Sequence, residues 1–193
     1  MTIFETERLI VRNWIPEQDA EQAFEIYGDP EVTYFLGAGE TSIESQRQSL
    51  TREVEQYRQL NNGTGDWAVV EKETASVVGA IILAQLPDSD RQPTEDYEIG
   101  WHFRRASWGK GYATEAARGM LSYGFNILQL AVIYAVVKPE HHASIRVTQR
   151  LGMKAVGRTN KYYGIELLLF QLDAPERIEG DKETRRQGDK GHN

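Results

Sequence analysis

Apolar and polar positions recur with a helical period through most of the first third of the chain. Proline at a first helical position and glycine after the last one delimit such segments. The predicted elements are an opening strand over Arg8–Trp14, a helix over Pro16–Tyr27 stopped by Gly28, a short helix from Pro30 through Leu36 capped by Asp29, and a long polar helix opened by the capping-box pattern Thr41–Glu44.

Strand patterns dominate the rest of the chain. The run SVVGAIILAQL is almost continuously apolar, which is typical of a strand buried on both faces. The predicted strands are Asp66–Lys72, Ser76–Leu86, Asp96–Arg104, Leu130–Val137, Lys154–Asn160 and Ile165–Leu172. Two helices fall among them, one after the glycine-rich stretch at 109–111 and one that ends at Gly152. The pattern predicts an α/β (α+β) fold, with about seven strands in a mixed sheet, about four flanking helices and at least one crossover helix.

The composition changes near residue 174. The segment 174–193 holds five acidic and five basic residues and almost no aliphatic ones. Such a segment buries too little apolar surface to offset the entropy of ordering it. The sequence therefore predicts one domain over 1–173 and a disordered tail over 174–193.

Composition and charge exclude several classes of function. The 193 residues include 22 basic and 29 acidic ones, for a net charge of −7. This balance argues against a nucleic-acid partner held by phosphate contacts, and it mildly favours a cationic or amine substrate, although acidity also serves solubility. The absence of cysteine excludes a thiolate nucleophile and a disulfide framework. No long apolar run or signal-peptide layout occurs, so we expect no membrane partner and a cytoplasmic location.

The stretch WGKGYAT (Trp108–Thr114) lies where a strand is predicted to give way to a helix. Glycines at 109 and 111 allow a close backbone approach, and the first amides of a helix bind anions. The stretch lacks both the Walker spacing and the full dinucleotide fingerprint. On these residues alone, a phosphate site and an ordinary strand-to-helix turn both remain open.

Two sequence blocks resemble the GNAT acetyltransferase superfamily when they are taken together in this order and spacing. They are YEIGWHFRRASWGKGYATEAARGMLSYGF and VKPEHHASIRVTQRLGM. The segments ETERLIVRNW and DPEVTYFLG are similar to the RimJ/RimL-type ribosomal-protein N-terminal acetyltransferases within that superfamily. The resemblance runs from about Glu5 to Leu172. It implies a mostly antiparallel sheet that splays open in the middle, and an N-acetyltransferase with acetyl-CoA as cosubstrate.

The resemblance also assigns the cofactor site residue by residue. It implies that the pyrophosphate lies on backbone amides of Trp108–Thr114, and that the pantetheine arm pairs with backbone groups of the strand before them. The implied cofactor-binding residues are Trp101, Phe103, Trp108, Gly109, Lys110, Gly111, Tyr112, Ala113, Thr114 and His141. His141 stands where the branch commonly has asparagine.

Direct acetyl transfer needs a base for the amine and a proton or hydrogen bond for the departing thiolate. Glu98 is the candidate base, with a solvent-facing strand carboxylate as the alternative. Ser144 matches a serine of the branch and is the candidate acid, with a helix N-cap as the alternative. Thr148 stands where many members carry a tyrosine, so a non-catalytic acyl-CoA-binding module also remains open.

The acceptor is expected to be a primary amine, either a protein N-terminus or a small molecule, and a homodimer stays open because dimers are common in the branch. Adjacent histidines at 141 and 142 cannot both face one ion from a regular helix, so no metal site is predicted. Tyr162 and Tyr163 are candidates for the substrate mouth, with exposed turn aromatics as the alternative. Tyr34 is a weaker candidate, and Trp67 is predicted to lie in the core.

Overall fold

The computed structural model describes residues 1–176, which form eight strands and five helices. The strands are β1 (Thr2–Glu5), β2 (Leu9–Arg12), β3 (Gly65–Glu71), β4 (Val77–Pro87), β5 (Pro93–Phe103), β6 (Val132–Val137), β7 (Lys154–Thr159) and β8 (Leu167–Asp173). The helices are α1 (Pro16–Tyr27), α2 (Pro30–Thr33), α3 (Ile43–Leu60), α4 (Tyr112–Asn126) and α5 (His142–Arg150).

All eight strands join one sheet in the order β1-β2-β3-β4-β5-β6-β8-β7. Every neighbouring pair is antiparallel except β5 and β6, which run parallel and are connected by the crossover helix α4. The register of β5 on β6 contains one pair, Glu98 with Tyr134. The mixed, mostly antiparallel sheet that splays in the middle is therefore confirmed.

Each face of the sheet carries its own apolar core. Ile81, Leu83 and Ile99 point to the face that α4 covers, where they pack with Met120 and other buried residues. On the opposite face Ala68, Ala80 and Val77 pack against residues of α1 and α3. The central strand β4 is buried on both faces through most of its length, as its apolar run predicted.

The structure differs from the predictions near the N-terminus. β1 was not predicted, and the opening strand is shorter than Arg8–Trp14 because Leu9–Arg12 alone pairs with β3. The short helix α2 ends at Thr33 rather than Leu36. The bounds of β2 follow its pairing with β3, a strand that is distant in the sequence.

The capping box of α3 lies one residue later than predicted. Ser42 is the N-cap, its hydroxyl accepts from the Ser45 amide at 3.0 Å, and the Ser45 hydroxyl accepts from the Ser42 amide at 3.2 Å. Glu44, which the predicted box would have used, forms an ion pair with Arg47 on the surface instead. Two overlapping patterns were available, and the structure uses the second one.

The chain leaves the sheet at the end of β8. The amide of Ala174 still donates to the carbonyl of Ala131 at 2.8 Å. Most of the predicted tail, residues 177–193, lies outside the described residues. Within residues 1–176, no helix has the length and apolar character that crossing a bilayer requires.

We expect Ile81→Ala to lower the free energy of unfolding by about 2–5 kcal/mol, because Ile81 is fully buried in the core under α4 and its truncation leaves a cavity. Urea unfolding measures the change. Ile127→Ala is the matched control, since Ile127 is 66% exposed and such surface changes stay within about 0.5 kcal/mol. Equal losses in the two variants would contradict this assignment of the core.

Candidate active site

The edge of β5 that faces the splay carries backbone groups without a partner strand. The amide of Arg104 donates to Val78 in β4, so the alternation along β5 turns the backbone groups of Trp101 and Phe103 toward the opening. The Phe103 carbonyl accepts from the indole of Trp108 at 2.8 Å. Both groups of Trp101 and the amide of Phe103 therefore face the gap, as the resemblance implied for a pantetheine arm.

A single 3-10 turn, 105–107, carries the chain from β5 into the glycine turn and α4. Gly109 and Gly111 have φ values of 77° and 81°, a left-handed conformation that favours glycine. Gly111 is the N-cap of α4, and no side chain caps this helix. Within the described chain, no hydrogen bond is made by the amides of residues 109–114. The amide of Trp108, by contrast, donates to Arg105.

Three side chains of the turn have different environments. Lys110 is exposed. Tyr112 is buried and donates to Glu71, which anchors the first turn of α4 to the sheet. Thr114 is also buried, and its hydroxyl has no hydrogen-bond partner among the described residues. Six free amides, an uncapped helix N-terminus and an unpartnered hydroxyl together fit a bound anion.

The N-terminal hairpin, formed by β1 and β2, holds the glycine turn in place through residues of its own turn. The Arg8 guanidinium bonds Glu115 at 2.7 Å and the Lys110 carbonyl at 2.9 Å, and it lies over the Tyr112 ring. Thr6 also donates to Glu115 at 2.6 Å. Burial opposes ionisation of Glu115, but the hydrogen bonds from Thr6 and Arg8 outweigh it and keep its pKa below the usual value. The partners of this contact lie more than 100 positions apart, so no local pattern in the sequence predicts it.

A cavity of about 840 Å³ opens beside the splay, on the face of the sheet that α3 also covers. Five of the predicted candidates line it: Glu98, Trp101, His141, Ser144 and Tyr163. It therefore brings both candidate catalytic residues into one space. The lining residues that the sequence analysis did not single out include Phe35, Gln56, Tyr57, Asp66, His102 and Lys138.

Glu98 has a pKa close to neutral pH. Burial raises its pKa to about 7, and a hydrogen bond from Tyr163 opposes part of that rise. A carboxyl with this pKa can accept and release a proton near neutral pH. Tyr163 lines the cavity and contacts Glu98, so its place as a substrate-mouth residue stays a prediction.

Ser144 lies in the first turn of α5 and is not its cap. The N-cap position belongs to His141, and no side chain caps the helix. The buried Ser144 hydroxyl lies 3.4 Å from Nε2 of His141. His141 stacks on Phe35, with ring centroids 4.1 Å apart. Burial, together with the nearby His142 and Lys138, lowers the pKa of His141, so this imidazole is neutral at pH 7.

Other candidates from the sequence lie in the core or on the surface. Trp67 is in the core, as predicted. Tyr162 is buried and donates to Asp96 at 2.6 Å, so it is neither a mouth residue nor an exposed turn aromatic. Tyr34 is 75% exposed. The Thr148 hydroxyl donates to the Ile145 carbonyl at 2.7 Å, which occupies its proton. Residues 1–176 hold no group of three or more metal-ligating side chains.

Comparison with known proteins identifies the family. The sequence profile of the family described as "Acetyltransferase (GNAT) domain" matches residues 8–154. The chain belongs to the GNAT acetyltransferases. It is 36% identical over 145 residues to the uncharacterized protein YkkB of Bacillus subtilis (strain 168), covering 70% of this chain and 77% of YkkB. It is 31% identical over 160 residues to the uncharacterized N-acetyltransferase YoaA of the same organism, covering 83% of this chain and 87% of YoaA.

The fold of the GNAT domain is found in solved structures as well. The crystal structure of a GNAT-family acetyltransferase from Bacillus anthracis superposes with a TM-score of 0.74 at 25% identity. The match covers 91% of this chain and all of that one.

We expect Glu98 to make the stability of the protein depend on pH. Folding raises its pKa from 4.5 to about 7, so the folded state binds the proton more tightly than the unfolded chain between these values. The contribution is therefore full below about pH 4.5 and is lost as the pH rises through about 7. In Glu98→Gln, melting temperatures between about pH 5 and about pH 8 should fall less than in the unmodified protein.

The matched control is Glu95→Gln, on the same strand and exposed to solvent. It should keep the full pH dependence of the melting temperature. An unchanged slope in Glu98→Gln would show that this carboxyl titrates alike in the folded and unfolded chain.

Proposed function

We propose that the protein is an N-acetyltransferase that moves an acetyl group from acetyl-CoA directly to a primary amine. The observation that carries this proposal is the cavity beside the open edge of β5, which Trp101 of that edge, Glu98 and Ser144 line together. The sequence blocks quoted above support a place in the RimJ/RimL-type branch.

The residues present fit acetyl-CoA. The unbonded amides of 109–114 and the Thr114 hydroxyl would hold the pyrophosphate, and Lys110 adds a positive charge. A Cβ at Gly109 would meet nothing within 4 Å, so the turn is open on that side. The free backbone groups of Trp101 and Phe103 would pair with the amides of the pantetheine arm. Bound there, acetyl-CoA supplies an acyl thioester activated for attack by an amine.

Glu98 takes the proton of the amine. An alkylammonium loses one proton to solvent before its nitrogen attacks, and the attacking amine loses a second one, which a carboxylate with a pKa of about 7 accepts near neutral pH. Tyr163 fixes the orientation of the carboxyl through its hydrogen bond. As the nitrogen–carbon bond forms and the carbon–sulfur bond breaks, one proton passes from the amine to Glu98.

Ser144 stabilises the thiolate that leaves when the carbon–sulfur bond breaks. Its hydroxyl can donate a hydrogen bond to the thiolate, and the His141 imidazole, 3.4 Å away, can donate to the hydroxyl oxygen when its proton is on Nε2. Thr148, which stands where many family members have a tyrosine, is already bonded to a backbone carbonyl. This supports Ser144 rather than Thr148 as the acid.

CoA release from acetyl-CoA and a panel of amines tests the function. We expect Glu98→Gln to lower kcat by about 100-fold or more and to flatten the rise in rate through about pH 7, since the base is lost. Ser144→Ala should lower kcat with a smaller change in KM for acetyl-CoA. Glu95→Gln, an exposed carboxyl on β5, should retain normal kinetics.

Two results would argue against this mechanism. A melting temperature that acetyl-CoA raises, without CoA release from any amine, would show a binding module instead of an enzyme. Normal kinetics in both Glu98→Gln and Ser144→Ala would reject the two assigned roles.

Thr114→Val tests the cofactor site with an isosteric change. Losing a hydrogen bond to a charged phosphate should raise KM for acetyl-CoA about tenfold or more, with little effect on kcat. Thr51→Val, on an exposed position of α3, is the control and should leave KM unchanged. An unchanged KM in Thr114→Val would place the pyrophosphate away from this hydroxyl.

A further inference from the structure

A second carboxylate, Asp66, lines the same cavity as Glu98. Strand register sets their separation, because Asp66 pairs with Ile82 and Ile82 pairs with Gly100. These three residues form a row across β3, β4 and β5, and Glu98 lies two positions before Gly100 on the same face. With strands about 4.8 Å apart and about 3.4 Å per residue, the two α-carbons are roughly 12 Å apart.

The floor between the two carboxylates is apolar and open. Gly100 contributes no side chain, and Ile82 and Ala84 contribute only hydrocarbon. α3 adds Gln56 and Tyr57 to the lining. The cavity therefore offers an apolar path with a carboxylate at each end.

Neither carboxylate has a cation as partner within residues 1–176. No ion pair involves Asp66 or Glu98. Asp66 accepts one hydrogen bond through Oδ1, from the Trp14 indole at 3.0 Å, and none through Oδ2. The two basic residues of the lining, Arg91 and Lys138, do not reach either carboxylate.

The surroundings of Asp66 penalise its negative charge. Burial is the main cause that raises its pKa well above the usual value, and the neighbouring carboxylate of Glu53 on α3 adds to the rise. A buried carboxylate without a cation is costly, and a bound ammonium group would relieve that cost. The part of the cavity at Asp66, away from Glu98, therefore favours a positively charged group.

We propose that the acceptor is a linear aliphatic diamine or polyamine, whose reacting amine lies at Glu98 while a second ammonium, several carbon atoms away, binds Asp66. This inference rests on the proposed acetyl transfer and names the substrate class for it. The methylene groups pack on Gly100, Ile82 and Ala84. A monoamine of equal length fills the same floor but leaves Asp66 without a partner.

The test compares putrescine, cadaverine and spermidine with n-butylamine and with a short peptide that has a free N-terminus. We expect kcat/KM for the best diamine or polyamine to exceed that for n-butylamine by about 30-fold or more, since a buried charge pair is lost with the monoamine. CoA release measures both rates.

Asp66→Asn tests the residue itself. The asparagine oxygen can still accept from Trp14, so the fold should persist, and removing a desolvated charge should leave the melting temperature no lower than before. The ratio of kcat/KM for the diamine to that for n-butylamine should fall to about 1, because KM for the diamine rises. Asp66→Glu should keep part of the preference. Asp173→Asn, an exposed position at the end of β8, is the control and should keep it all.

The outcomes separate the two proposals. Equal kcat/KM for putrescine and n-butylamine, or a diamine preference that survives in Asp66→Asn, would overturn the inference and leave acetyl transfer standing. Acetylation of the peptide alone would do the same. No CoA release from any of these amines would overturn the proposed function and this inference together.

Discussion

The parting of β5 from β6 is the constraint on which the rest of the structure depends. The two strands are parallel neighbours that share one register pair, Glu98 with Tyr134, and diverge beyond it. Backbone groups in a sheet interior normally find a partner strand, but the amide and carbonyl of Trp101 and the amide of Phe103 face a gap instead. The gap persists because antiparallel partners hold each strand on its other side, β4 for β5 and β8 for β6. An extended ligand with its own amides completes such an edge, and the cavity for chemistry lies beside it.

Contacts from distant parts of the chain fix the orientation of the glycine turn that follows β5. Arg8 joins the Lys110 carbonyl to Glu115, and Tyr112 anchors the first turn of α4 to Glu71 on β3. The indole of Trp108 returns to Phe103 on β5. The free amides are therefore held against both the sheet and the N-terminal hairpin, which keeps them aimed at one place without a side-chain cap.

The cavity concentrates negative charge in a place that disfavours it. Burial raises the pKa of Glu98, of Asp66 and of the neighbouring Glu53, and within residues 1–176 neither Glu98 nor Asp66 forms an ion pair with an arginine or lysine. Such groups cost stability in the empty protein, and the two apolar cores on either side of the sheet outweigh that cost. Strain of this kind, kept at a site and offset elsewhere, is typical of groups retained for function. Some acidic residues of the chain therefore lie buried at this cavity, where they do not serve solubility.

The sequence by itself determined the features that depend on near neighbours: the helical and strand periods, the double burial of β4, the left-handed glycines at 109 and 111, and the turn's place between a strand and a helix. Two spaced blocks, one around Glu98 and one around Ser144, sufficed to indicate the fold. The tertiary structure alone decided the edge strand β1, the ends of α2, the capping register at Ser42, the clamp of Arg8 on Glu115 and the place of Asp66 in the cavity. Local periodicity carries no record of strand register or of helix packing, and it is these that bring residues far apart in the sequence, such as Asp66 and Glu98, to opposite ends of one cavity.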